Sequence, residues 1–305
     1  MTPKISVIIP FRDSLQHLPT LVNALKCQTL AQGAFEVIWI DDASRDGGGL
    51  WLQERLSPGW RLVAHPESRG SYAARNTGLR AAASENLAFT DVDCRPNDDW
   101  LEQGFVALAS ASRVAGRIHL ELSPSPSTAE LVDAGRFLRQ HQYVQEGFAA
   151  TANLFVHRNV FGLVGEFDEH LRSGGDFEFG WRCSQAGISI RYAENAVVSH
   201  PARASLRQLL RKGERVGFGV GQVVRRGGMP MRLLARRASE RLALARRRGF
   251  KERSIRIVGL KRSFLVTVVL VLVMLATILG CLRGFVLPEA AASADRNGRL
   301  KKGIA

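Results

Sequence analysis

Two aspartates, Asp91 and Asp93, stand one residue apart in the segment LAFTDVDCRP, residues 87–96. They directly follow an apolar run, residues 86–90, whose composition predicts a β-strand. Because alternate residues of an extended chain point to the same side, both carboxylates are expected to crowd one spot where that strand ends. Like charges at such a distance repel each other unless a cation lies between them. The pair is therefore a candidate site for Mg²⁺ or Mn²⁺; the alternative is a solvated turn at the end of a strand.

An ion held in this way would serve a phosphate substrate. Mg²⁺ takes only one or two carboxylates and completes its shell with water and phosphate oxygens. Its charge offsets the negative charge that develops on a phosphate leaving group. The acid pair therefore points to a protein that grips a diphosphate.

The elements that must position this pair form a regular alternation through the first ninety residues. A second acid pair, Asp41 and Asp42, ends another apolar run. Continuous apolar strands separated by helices predict an α/β fold, a mostly parallel twisted sheet with helices on both faces. Ligands bind beyond the carboxyl ends of such strands, so both acid pairs are expected at one edge. No Gly-x-Gly-x-x-Gly follows the first strand, which argues against a dinucleotide site. The predicted strands cover residues 4–11, 35–44, 61–65 and 86–90, and the predicted helices 17–28, 47–56 and 71–83.

The formal net charge of +14 lies mainly in one segment. Residues 1–200 carry a net charge of −5, residues 201–262 of +16 and residues 263–305 of +3. The front segment contains no basic stripe and no recognition motif, so we expect no nucleic-acid partner. The four cysteines are scattered without a CxxC pair, which fits a reducing compartment. The first residues make a poor signal peptide, so we expect the bulk of the chain in the cytoplasm.

A transmembrane helix is predicted near the carboxyl end, over residues 263–287. Residues 264–282 contain 19 residues without a charge, close to the roughly 20 that a membrane span needs. The 17 residues before residue 263 hold 8 Lys or Arg, so the positive-inside rule favours a cytoplasmic upstream side. We therefore expect a single-pass protein of the plasma membrane or inner membrane, followed by a polar tail, residues 288–305. A buried helix or a helix in a dimer interface is the alternative.

The basic segment, residues 201–262, is expected to lie against anionic lipid headgroups. Its first part, residues 205–228, has leucines and valines among the arginines, which is typical of an amphipathic helix at a membrane surface. Three glycines, Gly217, Gly219 and Gly221, are expected to weaken it as a regular helix.

The order of four segments resembles the family 2 glycosyltransferases of the GT-A fold. These segments are VIIPFRD (7–13), DDAS (41–44), Gly70 with ARNTG (74–78), and DVD (91–93). Residues 151–200 also look like that family's acceptor-side region, where a pattern of roughly GxFDExx–GEDxELxxRxxxxG precedes a strand ending in His. The likeness spans about residues 4–200, and its specificity lies in the order of the motifs. It implies a metal-dependent, inverting transfer of a sugar from a UDP- or GDP-sugar to a hydroxyl of a lipid-linked or polysaccharide acceptor at the membrane.

The resemblance implies a catalytic domain over residues 1–200, with a nucleotide-binding half, residues 1–95. In that half, Asp42 would recognise the base, and Asp41 would be a structural or ribose partner. Arg75 would either order Asp91 or touch the diphosphate, because its planar guanidinium suits carboxylate and phosphate alike. The implied metal ligands for Mn²⁺ or Mg²⁺ are Asp91, Asp93 and His200. The full set of implied nucleotide-binding residues is Pro10, Phe11, Arg12, Asp13, Asp41, Asp42, Gly70, Arg75, Asn76, Asp91 and Val92.

The catalytic base implied by the resemblance is Asp176, which would take the acceptor proton as the new bond forms. The sequence departs from the family here, since Gly175 stands where the family has Glu. This departure leaves the base assignment in place and puts the acceptor geometry in doubt; Glu178 could take part of the role. Trp181 is either a core residue or an acceptor platform. The implied acceptor residues of the second half, residues 96–200, are Asn153, Gly174, Gly175, Glu178, Trp181 and Arg182.

Two other functions stay open on the sequence alone. A nucleotidyltransferase would share the sheet and the metal, but it would need a glycine-rich basic loop after the first strand, and residues 8–19 contain no glycine. A non-catalytic membrane-bound protein that binds nucleotide sugars is harder to exclude because of Gly175.

Overall fold

The computed structural model describes residues 2–227 and 260–286. The predicted polar tail and the larger part of the predicted basic segment, residues 228–259, lie outside the described residues. The strands are β1 Ile5–Phe11, β2 Phe35–Asp41, β3 Trp60–Ala64, β4 Asn86–Thr90, β5 Arg95–Pro96, β6 Arg113–Glu121, β7 Asn153–His157 and β8 Arg191–Pro201. The helices are α1 Leu18–Lys26, α2 Gly48–Gln53, α3 Ser71–Ala81, α4 Trp100–Leu108, α5 Thr128–Arg136, α6 Gln140–Gln145, α7 Arg158–Val164, α8 Gly175–Gln185, α9 Leu206–Arg225 and α10 Leu260–Val286.

The chain divides into two compact units. The first unit contains the residues up to Glu169 together with Gly175–Ala204. The second contains His170–Gly174 and the described residues from Ser205 onward. The sheet and the acid pairs belong to the first unit, and helices α9 and α10 belong to the second.

Eight strands of the first unit form one mixed sheet in the order β3-β2-β1-β4-β7-β6-β8-β5, counted over the described residues. Strands β1 to β4 are mutually parallel, which confirms the predicted α/β class. Strand β7 runs antiparallel to both β4 and β6. Every residue of β1 and β2 is buried, because the apolar side chains of both strands face protein on each side of the sheet.

The core next to β1 and β2 is aromatic and contains two residues that were expected in the nucleotide site. Phe11 packs edge-on against Trp39, with ring centroids 6.4 Å apart, and Trp39 also contacts Trp60. Phe11 is 3% exposed, and Pro10 is a buried residue of β1. Phe11 thus belongs to the core, and the assignment of Pro10 and Phe11 to the nucleotide wall stays a prediction.

The two acid pairs follow strands whose carboxyl ends share one edge of the sheet. Strands β2 and β4 both pair in parallel with β1, so the segments after Asp41 and Thr90 lie at the same edge, as predicted. The chain does not stay extended after Thr90, however. The Cys94 N–H donates to the Asp91 carbonyl at 3.0 Å, which closes a turn. The expectation that Asp91 and Asp93 point to the same side was therefore wrong, because it assumed an extended backbone.

The second unit contains a pair of parallel helices that approach closely at glycines. Helix α9 is continuous over 20 residues, so the expectation that its glycines weaken it was wrong. Gly213 lies against Val273, Gly217 against Thr277, and a Cβ atom added at Gly217 would collide with the Thr277 carbonyl oxygen. Small residues at such intervals let two helix backbones pack closely, as in membrane helix pairs. Gly213, Gly217 and Gly221 therefore serve the packing of α9 against α10, whereas Gly219 lies against Ser173.

Helix α10 is long and apolar enough to cross a membrane. Its segment Phe264–Val286 has 23 residues and a mean hydropathy of 2.9. Large apolar side chains outside the α9 contact are exposed, among them Phe264, Leu279 and Val286. Length and composition thus agree with the predicted span, whose last residue, Leu287, lies outside the described residues.

Gly217→Ala should loosen this helix pair, because the added methyl group has no room against the α10 backbone. Overpacking of this kind costs about 1–3 kcal/mol. We expect faster alkylation of Cys281 in a Cys27→Ser background, since Cys94 and Cys183 are buried. The control is Gly162→Ala, a helical position with no atom within 4 Å of the new Cβ. Equal labelling rates in the two variants would contradict the observed packing.

Candidate active site

A cavity of about 420 Å³ opens at the carboxyl ends of β1, β2 and β3. Arg12 and Asp41 are the residues of the predicted nucleotide set that line it. Sequence reasoning missed the others; four of these eight residues lie in the loop after β3, which carries no recognisable motif, and three lie in the loop after β2. The additional lining residues are Ala43, Ser44, Arg45, Ala64, His65, Pro66, Glu67 and Ser68.

Two loops shape this cavity and are joined by hydrogen bonds. The Asp13 carboxylate accepts from the Arg45 N–H at 2.7 Å, and the Asp13 N–H donates to the Ser44 hydroxyl at 3.0 Å. Asp13 and Ala43 both adopt left-handed backbone conformations, with φ of 47° and 62°. Non-glycine residues hold such conformations only where their surroundings impose them, and they cluster at functional sites. Asp13 therefore clamps the two loops together.

The adjacent carboxylates of Asp41 and Asp42 have different surroundings in the structure. Asp42 is buried and accepts from the His65 ring at 2.9 Å and the Ser68 hydroxyl at 2.7 Å. It also accepts from the backbone N–H groups of Arg69 and Gly70. Because these four bonds occupy both carboxylate oxygens, Asp42 orders the loop before α3 and does not line the cavity. Asp41 lines it instead.

Asp42→Asn should therefore lower the stability of the fold. Burial alone would raise the pKa of Asp42, but the donors from Arg69, His65, Ser68 and Gly70 together hold that pKa below its ordinary value. A carboxyl whose pKa is depressed by folding stabilises the fold above its unfolded pKa and loses this effect as pH falls through the folded pKa. We expect a loss of about 1–3 kcal/mol at neutral pH.

Denaturant unfolding at several pH values measures this loss. The difference between the wild type and Asp42→Asn should shrink as the solution is acidified below the ordinary aspartate range. Asp98→Asn, which changes an exposed aspartate, is the control and should be neutral at every pH. A pH-independent difference for Asp42→Asn would show that the ionised carboxylate is not what the loop requires.

The structure shows one of the two contacts considered for Arg75, the one with Asp91. Its Nη2 donates to Asp91 Oδ1 at 2.6 Å, and the side chain is almost fully buried. Among the described residues, its Nε has no hydrogen-bond partner. Arg75 thus holds Asp91 directly. Its neighbour Asn76 uses both ends of its amide on Phe167 and Glu169. The assignment of Asn76 to the nucleotide site stays a prediction.

Asp93 faces His200 instead of Asp91. Asp93 Oδ2 lies 3.4 Å from His200 Nε2, while His200 Nδ1 lies 2.8 Å from the Pro201 carbonyl. Across residues 2–227 and 260–286, no three His, Cys, Asp or Glu side chains are arranged to hold a metal ion. The three expected ligands are therefore not gathered into one set, because Asp91 is turned toward Arg75.

The Asp93–His200 pair nevertheless fits a divalent cation chemically. A carbonyl only accepts, so His200 Nδ1 must donate to Pro201, and in the neutral ring the Nε2 lone pair then faces the Asp93 carboxylate. Histidines that bind metal ions use their second nitrogen in this way. Two hydrogen-bond acceptors that face each other are stabilised by a cation between them, which is either a proton or a metal ion.

Asp176 lies in the first turn of α8, near the Asp91–Arg75 pair. Its Oδ1 accepts from the Phe177 N–H at 2.9 Å. Removal of the carboxyl group from water raises the pKa of Asp176, and the negative charge of Asp91 adds to this effect. The Phe177 N–H and the positive charge of Arg75 oppose it. An aspartate with a raised pKa is a better proton acceptor than an ordinary one.

Most of the expected acceptor residues have structural roles. The Asn153 amide accepts from Trp100 and donates to the carbonyls of Arg117 and Ala196. Glu178 and Arg182 form a two-bond ion pair at 2.6 and 2.8 Å. These contacts occupy the polar groups of Asn153, Glu178 and Arg182 inside the fold, and the assignment of these residues to the acceptor site stays a prediction.

The other predicted residues are distributed between the two units. Gly70 donates its N–H to Asp42 at the start of α3, and Val92 is half-buried in the turn after β4. Trp181 is half-buried on α8. Gly174 belongs to the second unit and has a φ of 80°. Gly175, the first residue of α8, contacts Tyr72.

Comparisons with known proteins identify relatives of this chain. A family model described as "Glycosyl transferase family 2" matches residues 6–120. Glycosyltransferase AglE of Haloferax volcanii is 34% identical over 227 residues, which are 72% of this chain and 74% of AglE. The pre-mycofactocin glycosyltransferase of Mycobacterium tuberculosis is 30% identical over 218 residues, which are 67% of this chain and 44% of that protein.

Two solved structures share the fold. Mannosyltransferase PcManGT from Pyrobaculum calidifontis, in complex with GDP-Man and Mn²⁺, has a TM-score of 0.64 at 18% identity, over 92% of this chain and 88% of that chain. TarS of S. aureus, residues 1–349 in complex with UDP-GlcNAc, has a TM-score of 0.53 at 17% identity, over 71% of this chain and 66% of that chain.

Proposed function

The chain belongs to the family 2 glycosyltransferases, and we propose that it transfers a sugar from a nucleotide-diphosphate donor to a hydroxyl of a lipid-linked or polysaccharide acceptor at the membrane, with inversion. The observation that carries the proposal is the juxtaposition of a carboxyl with a raised pKa, Asp176, and the Arg75–Asp91 pair. In this proposal, Asp176 serves as the base on the acceptor side, and the Arg75–Asp91 pair lies on the donor side. Family membership decides against a nucleotidyltransferase and a non-catalytic binder.

The donor nucleoside would occupy the cavity beyond β1, β2 and β3. Asp41 supplies a carboxylate there, which can accept from the imide N–H of uracil or from N1–H and the amino group of guanine. Arg12 and Arg45 also line the cavity, and their positive charges suit a diphosphate. The related folds that hold GDP-Man and UDP-GlcNAc support a nucleotide-sugar donor.

A divalent ion, Mn²⁺ or Mg²⁺, would be held by Asp93 and His200, near Asp91. When bound, it would offset the charge that develops on the leaving diphosphate. Arg75 keeps Asp91 in position and partly neutralises it. The Pro201 carbonyl keeps the His200 Nε2 lone pair turned toward Asp93.

Asp176 would act as the base from the face of the sugar opposite the leaving group. It takes the proton of the acceptor hydroxyl as the new glycosidic bond forms and the bond to the diphosphate breaks. The hydroxyl becomes strongly acidic only in the transition state, so a carboxylate is a sufficient base. Inversion at the anomeric carbon follows from this single displacement.

Helices α9 and α10 would keep the protein at the membrane. Arg207, Arg211 and Arg215 are spaced one helical turn apart and exposed, and such a stripe suits anionic headgroups. Helix α10 supplies the apolar surface. A membrane-held enzyme meets lipid-linked acceptors directly, which supports a lipid-linked acceptor with the catalytic unit on the cytoplasmic side.

Transfer assays in vesicles test the proposal as a whole. The purified chain, reconstituted with native membrane lipids, is incubated with Mn²⁺ and radiolabelled GDP-mannose or UDP-GlcNAc. We expect one donor to label the organic-solvent extract and to release its nucleoside diphosphate. Release of the nucleotide without labelled lipid would contradict the lipid acceptor. No binding and no turnover of any nucleotide sugar tried would contradict the donor class.

A further inference from the structure

Tyr72 and Gly175 fit together at the start of α8. Tyr72 is 6% exposed, and its hydroxyl accepts from the Gly175 N–H at 2.8 Å. The N–H groups of a first helical turn have no partner within the helix, so this bond satisfies one of them. A Cβ atom added at Gly175 would lie 2.7–2.9 Å from three atoms of the Tyr72 ring. Gly175 does not adopt a positive φ, so the ring, and not the backbone conformation, requires a glycine here.

The same tyrosine also contacts the donor side of the site. The Arg75 guanidinium lies over the Tyr72 ring, 5.5 Å from its centroid, and Arg75 holds Asp91. Burial raises the pKa of Tyr72, and the negative charge of Asp176 adds to the rise. The phenol therefore stays protonated at neutral pH. Tyr72 is thus in contact with both parts of the site, through Arg75 on one side and through the first turn of α8 on the other.

We infer that Tyr72 is a positioning residue that fixes the Asp176 carboxyl relative to the Arg75–Asp91 pair, and that Gly175 is small so that the ring fits against the helix. This inference rests on the proposed role of Asp176 as the base. It gives a physical reason for the missing side chain at position 175, because the Tyr72 ring occupies the room. The rate of a catalysed reaction depends steeply on the placement of the reacting groups. A displacement of about 1 Å can lower that rate about 100-fold.

Tyr72→Phe tests the hydrogen bond without removing the ring. We expect kcat to fall about 10-fold, with the KM for the donor and the thermal unfolding temperature close to wild type. The donor is whichever of GDP-mannose and UDP-GlcNAc the wild type turns over. Tyr143→Phe is the matched control, because the Tyr143 hydroxyl also accepts from a backbone N–H, that of Leu138 at 3.0 Å. An unchanged kcat in Tyr72→Phe would overturn the inference.

A second pair of variants tests whether the Tyr72 ring leaves room only for a glycine at position 175. Gly175→Ala should lower kcat about 10- to 100-fold, because its methyl group displaces the ring or the helix. Adding Tyr72→Leu removes the ring atoms that the methyl group would meet. We expect the double variant to be more active than Gly175→Ala alone. A double variant whose loss equals the product of the two single losses would overturn the inference.

Two further measurements separate this inference from the proposed function. Hydrogen exchange at the Gly175 amide needs no turnover and should be faster in Tyr72→Phe but not in Tyr143→Phe. Equal exchange in all three proteins would overturn the inference. Asp176→Asn is assayed in parallel: full activity there contradicts the base assignment, whereas an inactive Asp176→Asn with a fully active Tyr72→Phe contradicts only the role of Tyr72.

Discussion

Asp176→Asn should reduce the rate of sugar transfer by about 10²–10⁴-fold, which is the usual contribution of a general base. The amide has nearly the same shape as the carboxylate, and its oxygen can still accept from the Phe177 N–H. It cannot take a proton from the acceptor hydroxyl. Because the proposed role assigns Asp176 to the acceptor, the donor should bind with wild-type affinity. Single-turnover transfer, measured beside calorimetric binding of the donor in the presence of Mn²⁺, separates the two effects.

Asp98→Asn provides the control for this substitution, since it replaces an exposed aspartate of the same unit. We expect this control to transfer sugar at the wild-type rate. A variant of Asp176 that binds the donor and transfers sugar at more than about a tenth of the wild-type rate would remove Asp176 as the base. Loss of donor binding together with transfer would instead assign Asp176 to the donor site.

The pH dependence of the wild type offers a separate check on the same residue. The base acts in its ionised form, so the rate falls as the solution is acidified through the Asp176 pKa. Burial and the charge of Asp91 raise that pKa, so the rate should fall at a higher pH than an ordinary aspartate would give. The residual transfer rate of Asp176→Asn should not show this fall on acidification.

The sequence predicts the edge of the sheet where the site lies, because that information is local. The apolar runs that become β1, β2 and β4 are continuous, and their lengths mark where each strand ends. Parallel pairing then brings Asp41 and Asp91 to one edge. The expectation of a glycosyltransferase comes from the resemblance to the family, which depends on the order of the motifs along the chain.

The sequence does not predict which polar side chains are free to meet a substrate. Asn76 is 91 residues from the Phe167 carbonyl to which it donates, and Asn153 is 53 residues from the Trp100 ring that donates to it. Hydrogen bonds to residues so distant in sequence occupy side-chain amides that the motifs alone would predict to bind a ligand. The Asp42 carboxylate is also hydrogen-bonded inside the fold, because His65 and Ser68 contact it from a loop without a motif. The neighbouring Asp41 carboxylate accepts from the Ser44 N–H at 2.8 Å, so only the folded structure shows how far each of the two carboxylates is occupied internally.

The roles of the glycines are also not predictable from composition alone. Helix propensity treats the glycines of α9 as a weakness, and it treats Gly175 as a lost side chain. In the structure, Gly217 lies against the α10 backbone and Gly175 lies against the Tyr72 ring. Each glycine is explained by a neighbour that is distant in sequence, so composition alone misjudges both.

The second large effect is expected at Asp93. Its carboxylate faces His200 Nε2 at 3.4 Å, while the Pro201 carbonyl fixes which ring nitrogen carries the proton. If the cation between them is the metal of the transferase, Asp93→Asn removes the charge that holds it. If that cation is only a proton on His200, the same change breaks a partly buried ion pair without touching a metal site. The two cases differ in how activity depends on Mn²⁺.

Asp93→Asn should therefore lower the transfer rate at least about 100-fold at low Mn²⁺ concentration, with partial recovery as Mn²⁺ is raised. Electron paramagnetic resonance of Mn²⁺ with the nucleoside diphosphate should show weaker binding of the ion to this variant. His200→Gln should shift the Mn²⁺ requirement in the same direction by a smaller amount, because a neutral amide oxygen still coordinates the ion weakly. Asp98→Asn should leave the Mn²⁺ titration unchanged. An Asp93→Asn protein that needs no more Mn²⁺ than the wild type would leave only the proton between Asp93 and His200, and the ion would then have to be held elsewhere along this edge.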